Sequence, residues 1–429
     1  MIINRLIAPS IKDITSFNII RAKKSALPNN IPLYQISTAT SDLVKIEWIF
    51  PAGSWFQTWP LTAFIVNNML AEGTQHKNSL QIAELTEYYG ANLGYYVDKD
   101  NAFITLVCMH KYIKEIMEVV ADIIQNASFP ENELETFKNK HKQQFLVDQS
   151  IMKNMARNVH FRMLFGNDHP YGYMIVEDDF DKSNREELVK FYKSQYQFKH
   201  CRIVVSGKVD DHVLNTIEQY FGLENWNANT NSYSPSPTIN AEKDRKIYIH
   251  KPEAVQSAVR IGKVFVNKMH PDFVGATVLT CILGGYMGSR LMKKIREEKG
   301  YTYGINSLLV TFKNAGYLTI ASELGAHVTS NAIADIFTEI ETLRNEPVTD
   351  DELQRVKNYM LGDVARMFDG PFAQAESLIS LLEYDLDYDY FDRMIDTIKN
   401  IKVQDIQSLA VEYLSPDSFS QVVIGKMDN

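Results

Sequence analysis

Cysteine is scarce and unpatterned: Cys108, Cys201 and Cys281 are the only three in 429 residues. The odd count, the wide spacings and the lack of any CxxC exclude a disulfide framework and a thiolate metal knuckle. Each lies in an apolar stretch, where a buried free thiol in a reducing compartment is expected. Histidine is equally sparse in pattern. No two of the ten stand at i, i+3 or i+4, so no pair of imidazoles shares a helix face. His141, on a polar helical stretch, reads as solvated, and His169, in His-Pro-Tyr-Gly, as a turn residue. Basic excess is missing too: 44 Lys and Arg stand against 53 Asp and Glu, a net charge of -9, which argues against a nucleic-acid partner. No apolar run approaches the ~20 residues that span a bilayer, so no membrane partner is expected. The segment Met1-Ile2-Ile3-Asn4-Arg5-Leu6-Ile7-Ala8-Pro9 lacks a basic stretch followed by a long apolar core, so no secretory signal is expected and a cytoplasmic location is.

What is present is a repeat. Val204-Val205-Ser206-Gly207-Lys208 is similar to Val422-Val423-Ile424-Gly425-Lys426, and Glu133-Leu134 with Lys138-Asn139 to Glu352-Leu353 with Lys357-Asn358. Gly90-Ala91-Asn92-Leu93-Gly94 matches Gly300-Tyr301-Thr302-Tyr303-Gly304, and Asn101-Ala102 matches Asn314-Ala315. Four matches in one order, at a period of about half the chain, indicate a duplicated domain rather than a solenoid. The Asn/Ser/Pro-rich stretch after Trp226 reads as the linker, giving domains 1–225 and 242–429 joined by 226–241. In each copy a partly alternating strand (Leu43–Phe50, Ser257–Val266) precedes a helix, a second helical stretch stopped by Gly90 or Gly300, two strands, long helical patterns and a closing strand. Strands grouped apart from helices imply an α+β fold, a mostly antiparallel sheet with helices on one face of each copy.

The motifs then give a resemblance. Phe50-Pro51-Ala52-Gly53-Ser54, Met69-Leu70-Ala71-Glu72-Gly73-Thr74, His169-Pro170-Tyr171-Gly172, Leu283 to Leu291 with its three glycines, and Arg296-Glu297-Glu298-Lys299-Gly300-Tyr301-Thr302-Tyr303 occur in that order. Together they resemble the pitrilysin/insulinase family of zinc metallopeptidases, in its short two-domain branch, over essentially the whole chain. Active members carry HxxEH just before the Met-Leu-x-x-Gly-Thr segment: two histidines bind zinc and the Glu activates water. Here those positions read Phe64-Ile65-Val66-Asn67-Asn68. Phe64 cannot ligate, Asn67 cannot act as a base, and Asn68 is a poor neutral ligand. The helix Asn139 to Gln149, where the family's third ligand would stand, contains no Glu. No metal and no cofactor are expected on this chain.

Arg296 reads as lying in the last turn of a helix from Ser289, its N-cap, to Lys299, with Tyr303 seven residues on at the start of a strand. The family resemblance implies that such a pair assists catalysis, the Tyr hydroxyl donating to an oxyanion and the Arg gripping substrate oxygens. On spacing alone the pair is an ordinary helix end and strand start. Gly284, Gly285 and Gly288 read as close helix packing or a loop. The acidic aromatic stretch Tyr384 to Tyr390 reads as a solvated helix start with buried rings. The expectation that follows is a subunit inactive by itself, paired with an HxxEH-bearing sister chain that holds zinc, acting on an extended peptide. The alternative is a binding or scaffold protein derived from a peptidase.

Overall fold

In the computed structural model, which describes residues 14, 16–38, 41–228 and 235–427, eleven strands form two sheets. The segment Met1 to Pro9 and part of the Asn/Ser/Pro stretch lie outside the described residues. The first sheet contains β1 (Lys23–Ala26), β2 (Pro32–Ser37), β3 (Leu43–Phe50), β4 (Asn92–Val97), β5 (Ala102–Met109) and β6 (Arg202–Gly207), in the order β1-β2-β6-β3-β5-β4. The second contains β7 (Lys246–His250), β8 (Gln256–Phe265), β9 (Ile305–Thr311), β10 (Gly316–Gly325) and β11 (Ser420–Gly425), in the order β7-β11-β8-β10-β9. Without β1 the two orders are the same. β2 with β6 and β7 with β11 are the parallel pairs; the other pairings are antiparallel. The chain is α+β. Cys108, Cys201 and Cys281 are free and buried.

Helices cover both faces of each sheet, not one. On the inner face of the first sheet, Ile46, Trp48 and Phe50 of β3 pack on Ile65, Val66 and Met69 of the helix Thr62–Met69, and on Ile116, Val120 and Ile124 of the helix Ile113–Asn126. The other face carries Ile49, Phe103 and Val204, and meets Ala375, Leu378, Ile379 and Leu382 of the helix Gly370–Leu382, which comes from the second half. Reciprocally, Ala156, Val159 and Met163 of the helix Met152–Phe165, from the first half, pack on Ala258, Val422 and Ile424 of the second sheet. The partial alternation of β3 follows from this exchange. Lys45 and Glu47 are buried under the crossing helix, where Lys45 Nζ lies 3.2 Å from Glu47 Oε1 and 3.1 Å from Glu376 Oε1. A polar residue that sequence pattern assigns to solvent is here covered by a partner from 331 residues away.

The halves also meet at their hairpin turns. Tyr171 Oη donates to Asp100 Oδ1 at 2.6 Å, and the Lys313 backbone N–H donates to Asp100 Oδ2 at 2.8 Å. Gly53 permits this joint. Its N–H donates to the Asp100 carbonyl at 3.2 Å, and a Cβ there would lie 2.5 Å from backbone atoms of Lys99 and Asp100. Neither backbone can yield without moving the turn. Gly53→Ala is expected to destabilise the protein by roughly 1–3 kcal/mol through overpacking. Urea unfolding checks it, and an unchanged midpoint would show that the turn is not held there.

Candidate functional site

The degenerate metal positions lie on the helix Thr62–Met69. It starts at Leu61, held at φ 67°, and its early Ala63 N–H is satisfied by Gln57 Oε1 at 3.2 Å. The Phe64 ring packs edge-on to His141 at 5.2 Å and lies 5.8 Å from Phe137; Phe137 and His141 are 4.0 Å apart. His141 is therefore not a solvated residue. It is half-buried in an aromatic cluster to which Phe64 adds a ring, and burial lowers its pKa. Asn67 is completely buried, and its Oδ1 accepts from Tyr196 Oη at 3.0 Å. Asn68 Nδ2 donates to the Phe64 carbonyl at 2.8 Å. His169 accepts the Tyr171 N–H on Nδ1 at 3.1 Å, as a turn residue does.

A zinc site needs at least three electron-pair donors converging on one point. Phe64 offers none, Asn67 makes a structural bond to a phenol, and Asn68 is turned to its own helix backbone. Among the described residues no three His, Cys, Asp or Glu side chains form a metal-holding group. The residues present do not fit zinc. Of the three, Phe64 alone lines, with His141, Tyr96, Phe161, Phe312 and Tyr317, an aromatic cavity of about 530 Å³ between the two halves.

Arg296 and Tyr303 lie elsewhere and together. Both line a second cavity of about 720 Å³, with Arg260, Tyr286, Met287 and Glu323. The two cavities share no lining residue. Arg296 is not in an ordinary α-helix. Met292–Glu298 is a π-helix, as is Cys281–Gly285, and such segments concentrate at functional sites. Ser289 does not cap it: its hydroxyl is buried without a hydrogen-bond partner. The start of the segment is fixed instead by Arg290, whose Nε and Nη2 donate to Glu352 Oε1 and Oε2 at 2.8 and 2.9 Å. Gly284 allows the other π-helix to touch β9, since a Cβ there would lie 2.7 Å from Ser307 Cβ. Gly300 stands at φ 65° directly after the Arg296 segment, and Gly90 at φ 58° after its own helix, the two stops read from the sequence.

Tyr303 precedes β9 in a bend. Its backbone is pinned on both sides: Thr302 Oγ1 donates to the Glu323 carbonyl at 2.6 Å and Ser322 Oγ to the Gly304 carbonyl at 2.9 Å. Its side chain is 92% exposed. Among the described residues the Arg296 guanidinium has one polar contact, Nη1 to Met287 Sδ at 4.0 Å. Sequence reasoning missed Arg260 and Lys153, which line the same cavity. The available signal was an arginine inside the apolar strand Ala258-Val259-Arg260-Ile261. The stretch Tyr384 to Tyr390 does bury Tyr384 and Tyr390, but its Asp385 is more than solvated, pairing with Arg202 at 2.6 Å and Lys313 at 2.8 Å.

Comparison with known proteins places these features. A family model described as insulinase (peptidase family M16) matches residues 35–168, and one described as peptidase M16 inactive domain matches residues 182–360. The chain is 25% identical over 346 residues to the uncharacterized zinc protease YmxG of Bacillus subtilis, covering 80% of this chain and 83% of that protein. It is 22% identical to an uncharacterized zinc protease of Rickettsia bellii, covering 93% and 96%. It is also 22% identical to the non-peptidase homolog YmxG of Helicobacter pylori, covering 68% of each. Among solved structures, the peptidase M16 inactive domain from Pseudomonas fluorescens shares the fold at a TM-score of 0.85 and 19% identity, covering 95% of this chain and 99% of that one. A protease from Helicobacter pylori does so at 0.84 and 15%, covering 95% and 100%. No helix among the described residues is long and apolar enough to cross a membrane.

Proposed function

Because the chain belongs to the insulinase (M16) peptidase family and lacks that family's metal-binding residues, we propose that it is the non-catalytic subunit of a two-chain peptidase, completing the site of an HxxEH-bearing sister chain. One observation carries the reading. Arg296 and Tyr303 line an open cavity that shares no residue with the chain's own degenerate site, and the Tyr303 side chain is almost fully exposed although its backbone is anchored. A phenol carried on an anchored backbone and left uncovered suits a task performed outside its own chain. In this role zinc belongs to the partner. The Tyr303 hydroxyl donates to the oxyanion of the attacked peptide, and Arg296 grips an oxygen of the same extended substrate. β9 is an edge strand beside the cavity and can pair with that substrate.

Two measurements test the reading. Elemental analysis of the chain purified without added metal is expected to find far less than one zinc per chain, with no peptide cleavage. One zinc per chain with chelator-sensitive proteolysis would refute a non-catalytic role. Mixing the chain with HxxEH-bearing family members from the same source is expected to give a complex that cleaves extended peptides faster than either chain alone.

A further inference from the structure

The cavity around Arg296 is electrostatically unlike the rest of the protein. On a chain of net charge -9, it gathers Lys153, Arg260 and Arg296, with Glu323 as the single acidic residue in its lining. None of the three cations belongs to an ion pair among the described residues. Arg260 is half-buried and bonds to its own neighbour, Nη1 to the Val259 carbonyl at 3.1 Å. It stands in mid-β8 opposite Ala321 of β10 and Val422 of β11, on the face crossed by the helix Met152–Phe165, which brings Lys153. Burial weakens its charged form and Arg157 nearby adds repulsion, which the attraction of Glu323 only partly offsets. A partly desolvated guanidinium that forms no ion pair is unfavourable, and an incoming carboxylate relieves it.

We propose that Arg260 and Lys153, with Arg296, form a carboxylate-binding subsite that anchors an acidic side chain or the C-terminal carboxylate of a peptide lying along β9. The walls select a peptide over a phosphate ligand. Tyr286, Met287, Ile305 and Tyr359 are apolar or aromatic, and β9 offers unpaired backbone at the sheet edge. Arg is suited to grip a carboxylate with two parallel bonds. The peptide as ligand rests on the role proposed above, but the binding needs no partner and no turnover.

The test uses the full chain alone and fluorescence anisotropy with three labelled peptides of one length. The first has an internal Glu and an amidated C-terminus, the second a Gln and a free C-terminus, and the third a Gln and an amide. One of the first two is expected to bind roughly ten-fold or more tightly than the third, which identifies the source of the carboxylate, and added salt narrows the gap. Arg260→Gln and Lys153→Gln should each remove most of the preference while leaving the third peptide's binding unchanged. Arg260→Lys should retain part of it, with thermal unfolding confirming an intact fold. Equal binding of all three peptides, or a preference that survives both Gln substitutions, overturns the subsite. So does inorganic phosphate displacing the peptide at low concentration. A carboxylate preference in a chain that finds no peptidase partner would remove the subunit role and leave the subsite standing; an active complex indifferent to carboxylates would do the reverse.

Discussion

Tyr303→Phe is expected to lower kcat of the reconstituted two-chain peptidase about 100-fold, equivalent to about 2.7 kcal/mol, while leaving KM, assembly and thermal stability near their original values. The hydroxyl is the only group removed. Because the side chain is 92% exposed, its removal opens no buried hole and breaks no internal hydrogen bond. In the proposed role its effect is therefore confined to charge that develops on the substrate in the transition state, which lowers kcat rather than binding. Arg296→Ala is expected to raise KM as well, since its contacts to peptide oxygens form before chemistry. If the chain is a scaffold derived from a peptidase, the two variants part company differently. Tyr303→Phe is then silent, and Arg296→Ala acts only through whatever stability it takes from the π-helix. Unchanged kinetics for both variants at unchanged stability would make the pair a remnant and favour the scaffold.

The parts legible in the sequence are those set by local pattern. β3 was readable at its true limits because Leu43 to Phe50 is flanked by turn residues. Positions 64 to 68 were located by the family resemblance, and residue type then settles their chemistry: a phenylalanine cannot ligate metal in any conformation. Gly90 and Gly300 were readable as helix stops, whereas Arg296 and Tyr303 stood out only through the family resemblance, since spacing alone reads them as a helix end and a strand start. What was not legible depends on partners far along the chain. Lys45 and Glu47 look solvent-facing until Gly370–Leu382 covers them, and nothing near residue 45 announces a helix that distant. The parallel pairs β2 with β6 and β7 with β11 join strands widely separated in sequence, of which β2 and β7 are short and only partly buried. The π-helix at Met292–Glu298 has no residue signature distinct from an α-helix, and it arises where Gly284 and Arg290–Glu352 fix the neighbouring chain. His141 looked solvated for a related reason. Its ring neighbours stand on two helices, and only the fold brings Phe64 to it.

The same crossing arrangement predicts acid sensitivity carried by His160. This residue sits on Met152–Phe165 where it crosses the second sheet, buried against Gly262 of β8, whose Cβ, if present, would lie 2.7 Å from His160 Cε1. Burial first, and the Arg260 cation next, push its pKa from the ordinary 6.5 to about 3, against a weaker opposing pull from the Gly262 backbone. In the folded protein it stays neutral where the unfolded chain already takes a proton. Its contribution to stability is therefore complete above pH 6.5 and is lost progressively as pH falls from 6.5 towards about 3. Linkage sets the full loss at up to roughly 5 kcal/mol. Carboxyl groups at the junction of the halves oppose it, Asp100 among them, since burial raises its pKa. Burial raises Glu383 to about 7 and Asp98 to about 6, so each binds its proton more readily when folded and favours the folded state as pH falls. The raw pH profile mixes these effects, and comparison with His160→Gln separates them. Gln keeps a polar side chain of similar size and cannot titrate. Urea midpoints measured from neutral pH down to about pH 4 are expected to fall more steeply for the original protein than for His160→Gln, so that the difference between the two curves shifts in favour of the variant as pH falls. Parallel curves across that range would show that His160 accepts its proton without opening the joint, and that the crossing helix tolerates a charge where it meets β8.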